Sequence, residues 1–264
     1  MNDLLQLSSS GAEVSALQQA LQAAGFSPGT IDGSFGAGTE AAVLAFQKSK
    51  GLAADGIVGP NTATALGLKG IPVIPSVIPG VTVQVVSQMF PMTPIGNIKT
   101  NLPPVLDALV TAKLPDKAMV LMALGTIRAE TESFQPISEG QSRFNTSPSG
   151  HPFDLYDNRQ DLGNKGAPDG ANFRGRGFVQ LTGRANYTRY GGEIGVDLIA
   201  SPELANGAQV AAKLLARFLG DREDRIREAL ASNDLASARR LVNGGSNGLD
   251  RFSDAFHKGM QLLS

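Results

Sequence analysis

The chain has 264 residues, 42% hydrophobic and 18% charged, with a formal net charge of −1; this suits a soluble globular protein with a substantial core and excludes the basic surface that nucleic acid demands. No apolar run approaches the roughly 20 residues of a bilayer span, so no membrane insertion is expected, and the start MNDLLQLSSSG has neither the basic nor the apolar segment of a secretory signal. Without cysteine, and with only His151 and His257, disulfides, thiolate nucleophiles and Cys-based zinc sites are excluded; a catalytic zinc, which takes about three protein ligands and usually includes His, is disfavoured, and no metal or organic cofactor is expected.

From the N-terminus, Val14, Leu17, Leu21 and Ala24 recur at helical spacing, and Ala42, Val43 and Phe46 do so again. Between and after these helices stands a short repeat. Asp32-Gly-Ser-Phe-Gly-Ala-Gly-Thr39 is echoed by Asp55-Gly-Ile-Val-Gly-Pro-Asn-Thr62. In each copy Gly supplies the turn and Thr is placed to cap the next helix, which predicts three short helices joined by Gly-rich loops. Residues 1–68 are net −3, which leaves +2 for the remainder, a mildly basic half suited to an anionic polymer.

Gly11, Val14, Leu17 and Gln18, then Asp32 to Gln47, then Gly51 to Thr62 closely resemble the peptidoglycan-binding domain found at the ends of many wall hydrolases. The resemblance covers the whole of residues 1–68 and implies bacterial peptidoglycan as partner. Most of these residues are expected to be scaffold, Phe35, Val43 and Phe46 among them, and wall contact is expected from polar loop residues at Asp32, Ser34, Thr39 and Asp55. Residues 69–82 carry Pro72, Pro75 and Pro79 among β-branched neighbours, which predicts an extended, semi-rigid linker.

From Val83 onward the patterns are helical: Asn101 to Lys113, Asp116 to Phe134, Pro202 to Leu219, Asp221 to Ser232, Asp234 to Val242 and Leu249 to Leu263. The fold class is therefore mainly α, a small three-helix module followed by a larger α-helical domain at 83–264. In Ile127-Arg-Ala-Glu130-Thr-Glu132-Ser-Phe134, Glu130 falls on the apolar stripe, three residues after Ile127 and four before Phe134. Glu132 points about 200° away. Desolvation on such a stripe raises a carboxyl pKa, the property of a general acid, and glycoside hydrolysis needs a second carboxylate beside it.

A second signal is Phe173-Arg-Gly-Arg-Gly-Phe-Val-Gln-Leu-Thr-Gly-Arg-Ala-Asn-Tyr187, whose glycines let backbone approach a ligand and whose Gln180, Thr182 and Asn186 suit sugar recognition. With Glu130-x-x-x-Phe134 upstream and Val242-Asn-Gly-Gly245 downstream, this string resembles glycoside hydrolase family 19, which contains chitinases and phage lysozymes. The resemblance spans residues 85 to 262. It implies a lysozyme-like fold and an inverting mechanism, with Glu130 as general acid, Glu139 as the second carboxylate and Thr182 holding the catalytic water. Gln180, Asn186 and Tyr187 then fall at substrate-contacting positions, and Asn243 and Arg251 along the cleft.

The chain departs from the family in two places: Ala129 stands where the family has His, and Glu132-Ser133 replace Gly-Gly. Asp157, in His151-Pro-Phe-Asp-Leu-Tyr-Asp157, is the alternative base and a further substrate contact. The expectation is a monomeric endolysin, made in the host cytoplasm and delivered to the wall without a signal peptide, that cleaves the β-1,4 bond between N-acetylmuramic acid and N-acetylglucosamine. A chitinase and an inactive wall-binding protein are the competing readings.

Overall fold

A computed structural model describes residues 4–52, 54–68, 76–245 and 247–263. In chain order its helices are α1 (Ala12–Ala23), α2 (Ala37–Ser49), α3 (Pro60–Leu66), α4 (Val83–Met89), α5 (Ile95–Thr111), α6 (Lys117–Thr131), α7 (Asp154–Asp157), α8 (Asp169–Asn172), α9 (Arg184–Ile194), α10 (Ala208–Gly220), α11 (Glu223–Ala231), α12 (Leu235–Asn243) and α13 (Leu249–Leu262). Two short strands, β1 (Ile137–Ser138) and β2 (Arg176–Gly177), pair antiparallel. The fold is mainly α, and no described helix is long and apolar enough to cross a membrane.

The residues form two compact units, Met1–Ile74 with Asp221–Leu241, and Pro75–Gly220 with Val242–Ser264. In the first, the helical spacing seen in the sequence becomes the core: Val14, Leu17 and Leu21 of α1 pack with Ala42, Val43 and Phe46 of α2, closed by Phe35, Val58 and Ala63. Two glutamines brace the loops. Gln18 Nε2 lies 3.1 Å from Asp32 Oδ1, Ser34 O and Thr39 Oγ1, and its Oε1 accepts from Gly33 N at 2.9 Å. Gln47 repeats the arrangement with Asp55 Oδ1, Ile57 O, Thr62 Oγ1 and Gly56 N at 2.8–3.1 Å. The sequence repeat is thus a repeated buried amide network, in which one glutamine side chain satisfies four polar groups of its loop.

Helix α11 groups with this unit, although the sequence boundaries place it in the 83–264 region. Asn61 Nδ2 donates to Glu223 Oε2, Thr62 Oγ1 lies 3.5 Å from Asp224 Oδ2, and Glu223 pairs with Arg227 at 2.8 Å. A Cβ at Gly59 would collide with the Asp224 carboxylate, so the glycine of the second loop copy admits this acid. Residues 69–75 of the expected linker lie outside the described residues. Its last part holds a 3-10 turn at Ile78–Gly80, and Val77 N donates to Pro115 O at 2.9 Å.

In the second unit α6 is the central helix: every residue from Met119 to Ile127 is buried, as expected of a helix apolar on all sides. Asp116 caps it through Met119 N at 3.3 Å. Helix α13 crosses it closely because Gly125 leaves room for the Phe252 ring and Gly259 for Leu121 and Met89; a Cβ at either would come within 3.0 Å. Helix α5 starts at Ile95 and runs through Pro103 and Pro104, six residues before the sequence reading begins it. Helix α9 escaped that reading because Gly191 and Gly192 blur its period; Gly191 packs on Val196 O and Leu198.

Candidate active site

Glu130 sits in the last turn of α6, half-buried, between the fully buried Ile127 and Phe134. The helix stops at Thr131, and Glu132 adopts φ 45°. That turn sends the Glu132 side chain out to an ion pair with Arg251 on α13, so the neighbouring carboxylates part company.

Glu130 lines a cleft of about 340 Å³ together with Gln180, Thr182, Asn186 and Asn243. The Gly-rich string forms its floor. Arg176 and Leu181 exchange backbone hydrogen bonds at 3.2 and 2.9 Å, closing a tight turn whose Gly177 and Gln180 have φ 77° and 50°. Gln180 Nε2 donates to Ile137 O and Gly177 O, both at 3.0 Å. Thr182 Oγ1 donates to Gln180 O at 2.9 Å, and Asn186 Nδ2 to Thr182 O at 2.8 Å. These bonds fix the cleft side chains to one another and to β1. Asn243, also in the lining, donates to Asn247 O at 3.1 Å and accepts from Gly245 N at 3.0 Å.

Glu139 follows β1. Its backbone N donates to Gly175 O at 2.8 Å, extending the strand pairing. Its carboxylate takes three hydrogen bonds: Oε1 from Asn145 Nδ2 and Tyr156 Oη, each 2.9 Å, and Oε2 from Gly175 N at 3.2 Å. A Cβ at Gly175 would lie 2.9 Å from Gln180 Oε1 and 3.3 Å from Glu139 Oε2. Gly175 therefore stands between Glu139 and a residue of the cleft. Burial and then the Glu139 charge push the Tyr156 phenol up to about 12, so it remains a donor at neutral pH.

Other expected site residues are placed elsewhere. Asp157 is 3% exposed, accepts from Gly170 N at 2.9 Å and lies 3.0 Å from His151 Nε2; it holds the turn between α7 and α8. Tyr187 is fully buried, and its hydroxyl donates to Arg174 O at 2.8 Å and accepts from Arg176 Nη1 at 2.9 Å. It braces the strand behind the cleft. In the N-terminal module Thr39 is 1% exposed within the Gln18 network, whereas Asp32 and Ser34 are exposed. The Gln18 amide and Ser34 N lower the Asp32 pKa, whereas burial raises that of Asp55. Sequence reasoning missed Asn145, which belongs to no recognisable string, and Tyr156, whose string drew attention only to Asp157; only the folded loop brings them to Glu139.

Residues 10–66 match the model of the peptidoglycan binding domain family. The chain is 48% identical over 56 residues, 21% of its length and 14% of the relative's, to an N-acetylmuramoyl-L-alanine amidase of Mycobacterium tuberculosis. It is 30% identical over 96 residues, 36% of its length and 45% of the relative's, to a glycosyl hydrolase family 19 domain-containing protein of Haemophilus influenzae. It thus spans less than half the length of these curated relatives. A solved bacterial family 19 chitinase aligns with 70% of this chain and 95% of its own at 22% identity and a TM-score of 0.51, a likeness of fold.

Proposed function

From a chain that carries a peptidoglycan-binding domain and the family 19 chitinase fold, we propose an enzyme that binds bacterial peptidoglycan and hydrolyses its glycan strand. The bond cleaved is the β-1,4 link from N-acetylmuramic acid to N-acetylglucosamine. The observation that carries this reading is the half-buried Glu130 sharing one cleft with Gln180, Thr182 and Asn186, on a chain with its own wall-binding module.

Glu130 donates the proton that the leaving glycosidic oxygen needs, and Glu139 removes one from the attacking water. Thr182 Oγ1 spends its hydrogen on Gln180 O, so its lone pairs are left to accept from that water. Attack from the face opposite the leaving group inverts the anomeric carbon. This chemistry calls on no cofactor. Gln180, Asn186 and Asn243 offer amide groups to the sugar, while Asp32 and Ser34 present exposed polar atoms to the wall, with Thr39 and Asp55 bracing the loops behind them.

The likeness to a chitinase fold favours one second reading, cleavage of chitin. Incubation with purified sacculi and, separately, with N-acetylglucosamine oligomers separates the two. Muropeptides released from sacculi with the oligomers intact support the muramidase; the reverse pattern supports a chitinase, and binding to sacculi with no new reducing ends from either substrate overturns both.

A further inference from the structure

The bonds made by Glu139 distinguish its two oxygens. Oε1 accepts from two side chains, Asn145 Nδ2 and Tyr156 Oη, whereas Oε2 accepts only from Gly175 N among the described residues, at the longer distance of 3.2 Å. A carboxylate oxygen has about two acceptor sites. Oε1 is therefore saturated and Oε2 keeps one site open. The absent side chain of Gly175 leaves space beside that oxygen, bounded across it by Gln180 Oε1, and Gln180 lines the cleft. Gly175 has no left-handed φ, so turn geometry does not explain why glycine stands there.

Resting on the assignment of Glu139 as base, we propose that Oε2 is the atom that takes the proton from water, that Tyr156 and Asn145 are positioning residues which lock Oε1, and that Gly175 is glycine to keep the approach to Oε2 open. The donors fix the carboxylate rotamer, so that Oε1 is held and Oε2 keeps its open site. Tyr156 keeps its own proton throughout the working range. In the step itself, water loses one proton to Oε2 as its oxygen bonds to the anomeric carbon. The bond from that carbon to the leaving oxygen breaks, and the leaving oxygen takes the Glu130 proton; charge and atoms balance.

The test uses three variants of the full chain, Tyr156→Phe, Gly175→Ala and Glu139→Gln, with kcat and KM for reducing-end release from solubilised glycan strands, and thermal melting measured alongside. Tyr156→Phe removes one donor and should lower kcat about tenfold with little change in KM. Gly175→Ala, whose Cβ would lie 2.9 Å from Gln180 Oε1 and 3.3 Å from Glu139 Oε2, should fold and lose kcat. Full activity in Glu139→Gln overturns the base assignment itself. Loss of activity in Glu139→Gln with wild-type kcat in Tyr156→Phe overturns the positioning role alone, and wild-type kcat in Gly175→Ala overturns the choice of Oε2.

Discussion

Glu130 and Thr182 face the same cleft, one from the end of the central helix α6 and the other from the turn that precedes α9. The two stand 52 residues apart in the chain. Their shared position sets the first prediction: Glu130→Gln abolishes release of reducing ends from sacculi while melting temperature and sacculus binding stay at wild-type values, because the amide keeps size but has no acidic proton. Glu132→Gln loses only the exposed pair with Arg251, and pairs of that kind contribute about 0–1 kcal/mol. Its activity stays near wild type. Retention of more than a few per cent of activity in Glu130→Gln moves the acid elsewhere.

The second prediction concerns stability and pH in the N-terminal unit. Burial, then the charges of Asp55 and Glu223, raise the Asp224 pKa to about 8 from an ordinary 3.8, against the opposing Gly59 N and Arg227. A raised folded-state pKa means that the folded chain holds a proton which the unfolded chain releases. That stabilisation is complete below pH 3.8 and is lost as pH rises toward 8. Across that window the slope is at most about 1.4 kcal/mol per pH unit. Melting followed by circular dichroism should show the wild type losing stability from pH 5 to 8, and Asp224→Asn should flatten the curve. Equal slopes in both proteins would remove Asp224 from the account.

A third prediction follows from the paired amide networks. Gln47→Leu leaves Gly56 N, Ile57 O and Thr62 Oγ1 without the amide in a buried setting, and each unmet buried group costs about 1–3 kcal/mol. Gln18→Leu does the same to the first loop. Either change should lower the melting temperature and weaken sacculus binding, while cleavage of short soluble strands by the second unit is unaffected. Unchanged stability in both variants would mean that the networks contribute little.

Residue type and spacing made much of this visible. Val14, Leu17, Val43 and Phe46 announce the small core by period alone, and Gln180, Thr182 and Asn186 are the polar exceptions in a Gly-rich string. One step along a helix turns a side chain by about 100°, which is why Asn186 reaches the cleft while Tyr187, its neighbour in the same string, faces the core. Helix α9 itself was hidden by its glycines. Asn145 and Tyr156 were not legible because their meaning lies in a contact with Glu139 that exists only after β1 and β2 pair. The grouping of α11 with the N-terminal helices likewise depends on Glu223 and Asp224 meeting Asn61 and Thr62, a pairing between residues 162 apart in the chain.

The last prediction joins stereochemistry to the identity of the base. Attack by water opposite the leaving group turns a β-linked substrate into an α product, and the two carboxyl groups of such an enzyme stand about 6.5–9.5 Å apart to admit that water. Proton NMR of the fresh reducing end during digestion should therefore show the α anomer first, with β appearing only by later mutarotation. Thr182→Val and Glu139→Gln should each lower turnover far more than binding, since both act on the water; removal of a general base costs about 10²- to 10⁴-fold. Asp157→Asn is expected to differ in kind. Its carboxylate is buried against Gly170 N and His151, so the amide should cost stability of the loop between α7 and α8 more than it costs turnover. An α product with a crippled Asp157→Asn and an active Glu139→Gln would transfer the base role to Asp157. A β product first would make one carboxylate a nucleophile, and an anhydro-muramyl end would mean that no water takes part and that Thr182 has another task.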